Sequence, residues 1–331
     1  MADYFAPFMV NHPAEDSCLY VHLADEKDAI MIDCGANNRL PLRLLQKVSM
    51  VFISHTHVDH FIGFDNLIRS NVRLNKTISV YGPPGITDQV HHKLLSYTWN
   101  LLLEDAMEVR VFEILGDHIA VTMLSYKNAF QKSYPLAIQP IHDRIIYENG
   151  DMYIRYAALN HKIPCLGYAL VAKKTWRVDK DKLEQFARQP GPWIKELKTL
   201  LANSAPLTSV INVGGEPFTL ADLNARLLVE VPEQKIAYVT DTLYTAATEA
   251  AIVELAGGAD LFFCEAHFTE DEATNALATC HLTARQSGIV ARKAGVKQVV
   301  SFHHSPRYLQ GKPGTLESEF QETFTGKGAK S

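Results

Sequence analysis

The six residues His55-Thr56-His57-Val58-Asp59-His60 carry four side chains able to ligate a metal. Imidazoles held close together oppose each other's protonation, so such a cluster is tolerated mainly where a cation takes the protons' place. The chemistry it points to is metal binding, with two ions. A surface histidine run or an affinity-tag remnant is the competing reading. The interior position, the interleaved Asp59 and the preceding apolar run Val51-Phe52-Ile53 count against it.

These ligands need elements to hold them. Residues 47–53 read as a buried strand, rich in β-branched and large apolar side chains. A strand continued into His55 and His57 directs both imidazoles to one side, because side chains alternate with period two. The chain must then turn, since Phe61-Ile62-Gly63-Phe64 and Leu67-Ile68 look like the start of an amphipathic helix. Asp59 and His60 are expected at that turn, facing a second ion. One loop cannot complete a two-metal site. His161, Asp241 and His303 each follow a predicted strand, at 157–160, 237–240 and 299–302, and are the further candidates. A carboxylate such as Asp241 can bridge two cations while imidazoles fill the remaining positions. A His/Asp set suits zinc and also admits manganese or iron.

Composition sets the frame. The chain has 331 residues, is 47% hydrophobic and 21% charged, and carries a formal net charge of -5. That is ordinary globular composition, long enough for a large core, and it predicts no polyanionic partner from the whole-molecule field. No apolar run approaches a membrane span and no secretory signal is visible at the start. Five cysteines (Cys18, Cys34, Cys165, Cys264, Cys280) show no CxxC spacing and read as reduced cytoplasmic thiols.

Residues 19–23 and 29–32 are expected to form a hairpin across the turn 25–28, and 78–81 a strand, with Thr87 capping a helix toward Leu103. Residues 138–147 and 152–159 read as strands around Asn149-Gly150, followed by strands at 167–172 and 235–239. Helices near 247–255 and 284–294 alternate with strands at 260–264 and 298–302. The tail after Leu316 is polar, and its end, 326–331, reads as frayed. A stretch at 173–198 is rich in Lys173, Lys174, Arg177, Lys180, Lys182, Arg188, Lys195 and Lys198, around Pro190-Gly191-Pro192-Trp193. It reads as an insertion into a single 1–331 domain, spanning about 173–234; a solvated helical hairpin without a partner fits its composition equally.

Several runs together resemble the metallo-β-lactamase superfamily, and within it the ribonuclease Z branch of tRNA 3′-processing endonucleases. They are Ile32-Asp33-Cys34-Gly35, the histidine cluster, His161-Lys162-Ile163-Pro164-Cys165-Leu166-Gly167-Tyr168, Thr240-Asp241-Thr242, Cys264-Glu265-Ala266, His281-Leu282-Thr283 and His303-His304-Ser305-Pro306-Arg307-Tyr308. They run in family order from about residue 30 to residue 310. The histidine cluster carries the superfamily; the Gly-Tyr run after His161 and the His-x-Ser-Pro-Arg-Tyr run carry the branch. The resemblance implies an α/β, four-layer αββα sandwich with two Zn2+ ions at one edge of the sheets. It places His55, His57 and His161 on one ion, Asp59, His60 and His303 on the other, and Asp241 between them. Asp59 would also accept a proton, and Asp33 would orient the ligand loop. The resemblance further implies a homodimer, and an arm at Pro190-Gly191-Pro192, with Lys195 and Lys198, that grips tRNA.

The chain departs from the family in three places. Cys264-Glu265-Ala266-His267 stands where the family reads His-Glu-Ala-Thr. If the strand continues, His267 falls on the opposite side and does not replace the missing histidine. The family's opening Phe-Leu-Gly-Thr strand and glycine loop are absent, with Val10-Asn11-His12-Pro13 roughly in their place, and the arm is only loosely similar. The metal ligands are untouched by all three.

The expected activity is therefore a metal-dependent phosphodiesterase or endoribonuclease that cleaves RNA at tRNA precursor 3′ ends through a metal-activated hydroxide. His281 is the first candidate to protonate the leaving 3′-oxygen, with a helix-capping structural role as the alternative, and Glu265 reads as an orienter of a histidine. A second reading keeps fold and metals and changes the substrate to a small ester, thioester, lactone or cyclic phosphodiester. A third, a non-catalytic RNA binder, is disfavoured because all seven ligands are present. Trp99 and Trp193 are candidates for base stacking, against a core role.

Overall fold

The computed structural model describes residues 3–24, 27–100, 107–186, 189–203, 205–309 and 314–326. It divides into two compact units, one of Lys173–Glu233 and one of Ala2–Ala172 with Gln234–Ser331.

In the larger unit, eight strands form one sheet in chain order: β1 (Phe5–Met9), β2 (Leu19–Leu23), β3 (Ala29–Ile32), β4 (Val48–Phe52), β5 (Thr77–Gly82), β6 (Glu108–Ile114), β7 (His118–Ser125) and β8 (Ser133–Pro140). β3 to β6 run parallel and the flanking pairs antiparallel. The second sheet holds β9 (Ile145–Glu148), β10 (Met152–Asn160) and β11 (Pro164–Ala172). After the smaller unit's β12 (Thr175–Val178), β13 (Val210–Val213), β14 (Glu216–Thr219) and β15 (Leu228–Val231), it is completed by β16 (Gln234–Val239), β17 (Leu261–Glu265) and β18 (Gln298–Phe302). Its order is β18-β17-β16-β11-β10-β9.

The layers follow from alternation along the strands. Val21, Ile30, Ile32 and Phe52 of the first sheet meet Ile154, Tyr168, Leu170, Ile236 and Tyr238 of the second in one buried cluster. The opposite face of the first sheet (Tyr20, Met31, Val51, Val80) packs on Phe64, Leu67, Ile86 and Val90 from the helices Phe64–Asn71 and Ile86–Leu95. The outer face of the second (Ala169, Ala237, Phe262) packs on Ile252, Val290 and Phe320 from the helices Ala246–Ala256, Ala284–Ala294 and Thr315–Thr325. Two sheets face to face with helices outside both make an αββα sandwich, because each sheet must bury two apolar faces.

Three expectations change. The strand expected at 138–147 is two strands, β8 and β9, in different sheets; the link between them carries left-handed backbone at Asp143 (φ 51) and Arg144 (φ 59). Gly85 (φ 92), not Thr87, caps the helix Ile86–Leu95, since a left-handed cap suits glycine; Leu103 lies outside the described residues. The polar tail contains the helix Thr315–Thr325, which buries Leu316 and Phe320. Its last residues, 327–331, lie outside the described part, as do Asp25, Glu26 and Arg188.

The smaller unit has its own core of Trp193, Leu197, Ile211, Val213, Leu220, Leu223 and Leu227. Its helix Leu220–Leu227 starts on a reciprocal Thr219–Asp222 capping box. Trp193 is buried and donates from Nε1 to the Gln189 carbonyl at 3.1 Å, so it anchors this core and is not free to stack. No helix among the described residues is long and apolar enough to cross a membrane.

Candidate metal centre

The seven expected ligands converge where strands end, at the carboxyl ends of β4, β10, β16 and β18. The strand does not continue into His55 and His57 as expected: β4 stops at Phe52, and irregular backbone carries the chain to a one-turn helix, Val58–Phe61. His57 caps that helix with no side-chain bond to it, which frees its ring. Asp59 and His60 lie on the helix itself, not on a turn before one. The rings of His55 and His57 nevertheless approach to 4.6 Å.

Two groups of ligand atoms result, each within 4.8 Å of one another: His55, His57, His161 and Asp241, and Asp59, His60 and His303. The Asp241 carboxylate lies between them. Its Oδ2 is 3.6 Å from His55 Nε2 and 3.5 Å from His161 Nε2, while its Oδ1 is 3.5 Å from His60 Nε2 and 3.1 Å from His303 Nε2. Asp59 Oδ2 completes the second group, 3.4 Å from His60 Nε2 and 3.9 Å from His303 Nε2.

The outer nitrogens of four rings are engaged by the protein, which turns their Nε2 atoms inward. His60 Nδ1 meets Asp33 Oδ2 at 2.9 Å, His161 Nδ1 donates to the Cys280 carbonyl at 2.8 Å, His55 Nδ1 contacts Ser54 Oγ at 3.1 Å and His303 Nδ1 contacts Ser17 Oγ at 3.2 Å. Asp33 is fixed in turn by Ser54 N, Ser54 Oγ and Tyr238 OH at 2.7–2.8 Å. Such outer partners set the tautomer and aim of ligating imidazoles. Asp33 (φ 53), Cys280 (φ 60) and His303 (φ 56) all have left-handed backbone, a strained state that the surrounding contacts hold in place.

Two observations show that these residues fit divalent cations. Buried His55 Nε2 and His60 Nε2 have no hydrogen-bond partner, a state costing roughly 1–3 kcal/mol per atom if nothing fills it. The donor set of imidazoles and carboxylates is also the one divalent transition ions take. The electrostatics agree. Burial and the neighbouring imidazoles push the pKa of His55 down to about 2. Burial opposes charge on His60 too, but Asp241 and Asp33 outweigh it and raise its pKa well above the usual range. Burial works against the Asp241 carboxylate as well, yet His303 and His60 hold its pKa well below the ordinary value.

A cleft of about 400 Å³ opens onto this centre, lined by Glu15, Asp16, His57, Asp59, His161, Asp241, His267, His281, His303 and His304 among others. His281 Nδ1 is held by Glu265 Oε2 at 2.8 Å and lies 4.0 Å from Asp241 Oδ2. Burial lowers its proton affinity, but Glu265 and Asp241 prevail and raise its pKa to about 9. Glu265 is itself fully buried and accepts from Thr242 N at 2.8 Å, so it orients a histidine as expected. The helix Ala284–Ala294 is capped by Thr283, which leaves His281 without a capping role there.

His267 overturns its expectation. β17 ends at Glu265, the alternation stops, and His267 turns into the cleft beside His281. Its ring stacks on that of His281 at 4.0 Å and 11°. Cys264 instead is fully buried in the helix-side core. Only the strand's end, invisible in its apolar pattern, could have placed His267 correctly. Trp99 donates from Nε1 to the Leu94 carbonyl and packs edge-on against Phe130, so it too belongs to a core. Among the described residues of the smaller unit, Trp176 is an exposed aromatic, one the sequence did not single out.

Comparison with known proteins bears on the family and the fold. A family model described as Anti-Pycsar protein Apyc1 matches residues 17–162. Ribonuclease Z of Deinococcus radiodurans is 29% identical over 307 residues, covering 91% of this chain and 90% of that protein. Ribonuclease Z of a Synechococcus strain is 29% identical, covering 91% and 85%. Among solved structures, the metallo-β-lactamase fold protein YhfI of Bacillus subtilis superposes with a TM-score of 0.55 at 14% identity, covering 96% of this chain and 92% of that one. The short form of human tRNase Z gives 0.50 at 17% identity, covering 92% and 93%.

Proposed function

We propose that this chain, which has the metallo-β-lactamase fold and resembles the ribonuclease Z proteins along nine-tenths of its length, is a metal-dependent hydrolase of phosphodiesters. Its substrate in this reading is RNA, at the 3′ ends of tRNA precursors. The observation that carries the reading is the Asp241 carboxylate, facing two imidazoles with each oxygen at 3.1–3.6 Å.

His55, His57 and His161 would hold one divalent ion, Asp59, His60 and His303 a second, with Asp241 shared; zinc is our assignment, and manganese or iron suits the same donors. When bound, such a pair supplies Lewis acidity, polarising phosphoryl oxygens and making water a stronger acid. The chain does the rest. Asp59 presents a partly exposed carboxylate to the cleft, placed to align the attacking water and take its proton. His281, its Nδ1 fixed on Glu265, holds a proton on Nε2 for the leaving 3′-oxygen, and its raised pKa keeps that proton available at neutral pH. Ser54, Tyr238 and Asp33 keep the ligand rings from turning.

A second reading, hydrolysis of a small cyclic phosphodiester, draws on two observations. The cleft is of small-molecule size, and among its described lining residues there are Glu15 and Asp16 but no lysine or arginine. We assign the chain to the cytoplasm on its five unpaired, buried thiols, and to a homodimer on family resemblance. The deciding experiment incubates the purified protein with a trailer-bearing tRNA precursor, a 3′,5′-cyclic nucleotide, bis-p-nitrophenyl phosphate and a thioester panel. Cleavage of the precursor at the 3′ end supports the first reading, and cyclic nucleotide hydrolysis without it the second. Thioester hydrolysis alone would overturn both.

A further inference from the structure

We propose that His267 is a specificity residue that accepts a hydrogen bond from a ribose hydroxyl beside the scissile phosphate. The inference rests on the phosphodiesterase reading above and adds the part of the substrate that the cleft distinguishes.

The argument begins with a tautomer. His267 Nδ1 lies 2.7 Å from the carbonyl oxygen of His303. A carbonyl can only accept, so Nδ1 carries the hydrogen and the neutral ring has its lone pair on Nε2. The ring lines the cleft, and Nε2 has no hydrogen-bond partner among the described residues. The cleft therefore offers an acceptor at this point, which suits a hydroxyl donor and not a phosphate oxygen.

Position selects which hydroxyl. The His267 ring is stacked 4.0 Å from that of His281, the group assigned to the leaving 3′-oxygen. A vicinal 2′-hydroxyl lies beside that oxygen in RNA and in 3′,5′-cyclic ribonucleotides alike, so both readings of the substrate present the same donor. The 2′-hydroxyl is also the group by which proteins tell RNA from DNA. His267 Nε2 and His281 Nε2 thus read adjacent oxygens of one sugar, the first as acceptor and the second as donor.

The test compares matched substrates: a tRNA precursor with a 2′-hydroxyl, 2′-deoxy or 2′-O-methyl group at the scissile nucleotide, and a 3′,5′-cyclic ribonucleotide with its 2′-deoxy counterpart. Bis-p-nitrophenyl phosphate, which has no hydroxyl, is the control. Wild-type enzyme is expected to prefer the hydroxyl-bearing member by about three- to tenfold in kcat/KM, the worth of one neutral hydrogen bond. His267→Ala should bring the hydroxyl-to-deoxy ratio to one, each rate being read relative to the variant's own rate on the control, with metal content measured alongside. His267→Gln, whose amide oxygen can occupy the Nε2 position, should restore part of the preference. Equal losses on all substrates would show a merely structural role and overturn the proposal. So would a wild-type enzyme that hydrolyses the control yet has no hydroxyl preference, a result that needs no variant to fold. Inactivity of the wild type on every substrate would instead overturn the phosphodiesterase reading, and this proposal with it.

Discussion

Chemistry in this chain is decided by which nitrogen of each imidazole faces the centre. Ser54, Asp33, Cys280 and Ser17 engage the Nδ1 atoms of His55, His60, His161 and His303, and His281 likewise gives Nδ1 to Glu265. In the proposed reading it is the buried Glu265 carboxylate beside it that sets His281 apart as a proton donor. His281→Ala is expected to lower kcat on an RNA substrate by about 10²–10⁴-fold and to leave metal content unchanged. Bis-p-nitrophenyl phosphate, whose leaving group departs without protonation, should lose less than tenfold. Parallel rate measurements on the two substrates check this, and equal losses would remove His281 from the proton donor's role. The seven expected ligands, which the structure brings together, were named in the sequence because four of them stand in one six-residue cluster, which gives weight to His161, Asp241 and His303 after predicted strands. The place of His267 was not legible, since its direction depends on where β17 stops and the run around it carries no breaker.

At the scale of elements, two glycines let the ligand helix sit close to the loop after β3. A Cβ on Gly63 would stand 2.0 Å from the Gly35 carbonyl oxygen, and one on Gly35 would stand 2.3 Å from that of Asp59. Between them, Cys34 N donates to His60 O and Gly63 N to Cys34 O, both at 2.8 Å, tying the ligands' backbone to the sheet. Gly63→Ala should destabilise the fold by about 1–3 kcal/mol through overpacking and displace Asp59 and His60. Thermal unfolding with and without added metal measures both effects; a wild-type midpoint would show the contact to be slack. Most strands were readable from periodicity and apolar runs. The break between β8 and β9 was not read, although Pro140 ends β8, because the apolar run continues past it and the left-handed backbone at Asp143 and Arg144 that moves the chain between sheets falls on non-glycine residues.

The whole molecule carries a net charge of -5, so RNA affinity in the proposed reading must come from a local cationic surface. The smaller unit exposes Lys195 and Lys198 on the helix Pro192–Ala202, and its bounds, Lys173–Glu233, enclose the basic stretch that composition alone marked out. Composition could not say whether that stretch had a core. Trp193, Leu197 and Leu223 give it one. If this unit grips RNA, charge reversal at Lys195→Glu with Lys198→Glu should weaken binding and reduce the slope of log affinity against log salt by about one to two. Hydrolysis of bis-p-nitrophenyl phosphate should not change. An unaltered salt slope would point to the small-substrate reading.

Metal content, measured by elemental analysis on unchelated wild-type protein and on Asp241→Asn, reaches the central claim most directly. Two divalent transition ions per wild-type chain are expected, with loss of at least one of them and at least a hundredfold fall in hydrolysis when the shared carboxylate becomes an amide. Wild-type protein without transition metal, or a variant that keeps both ions and full activity, would contradict the account.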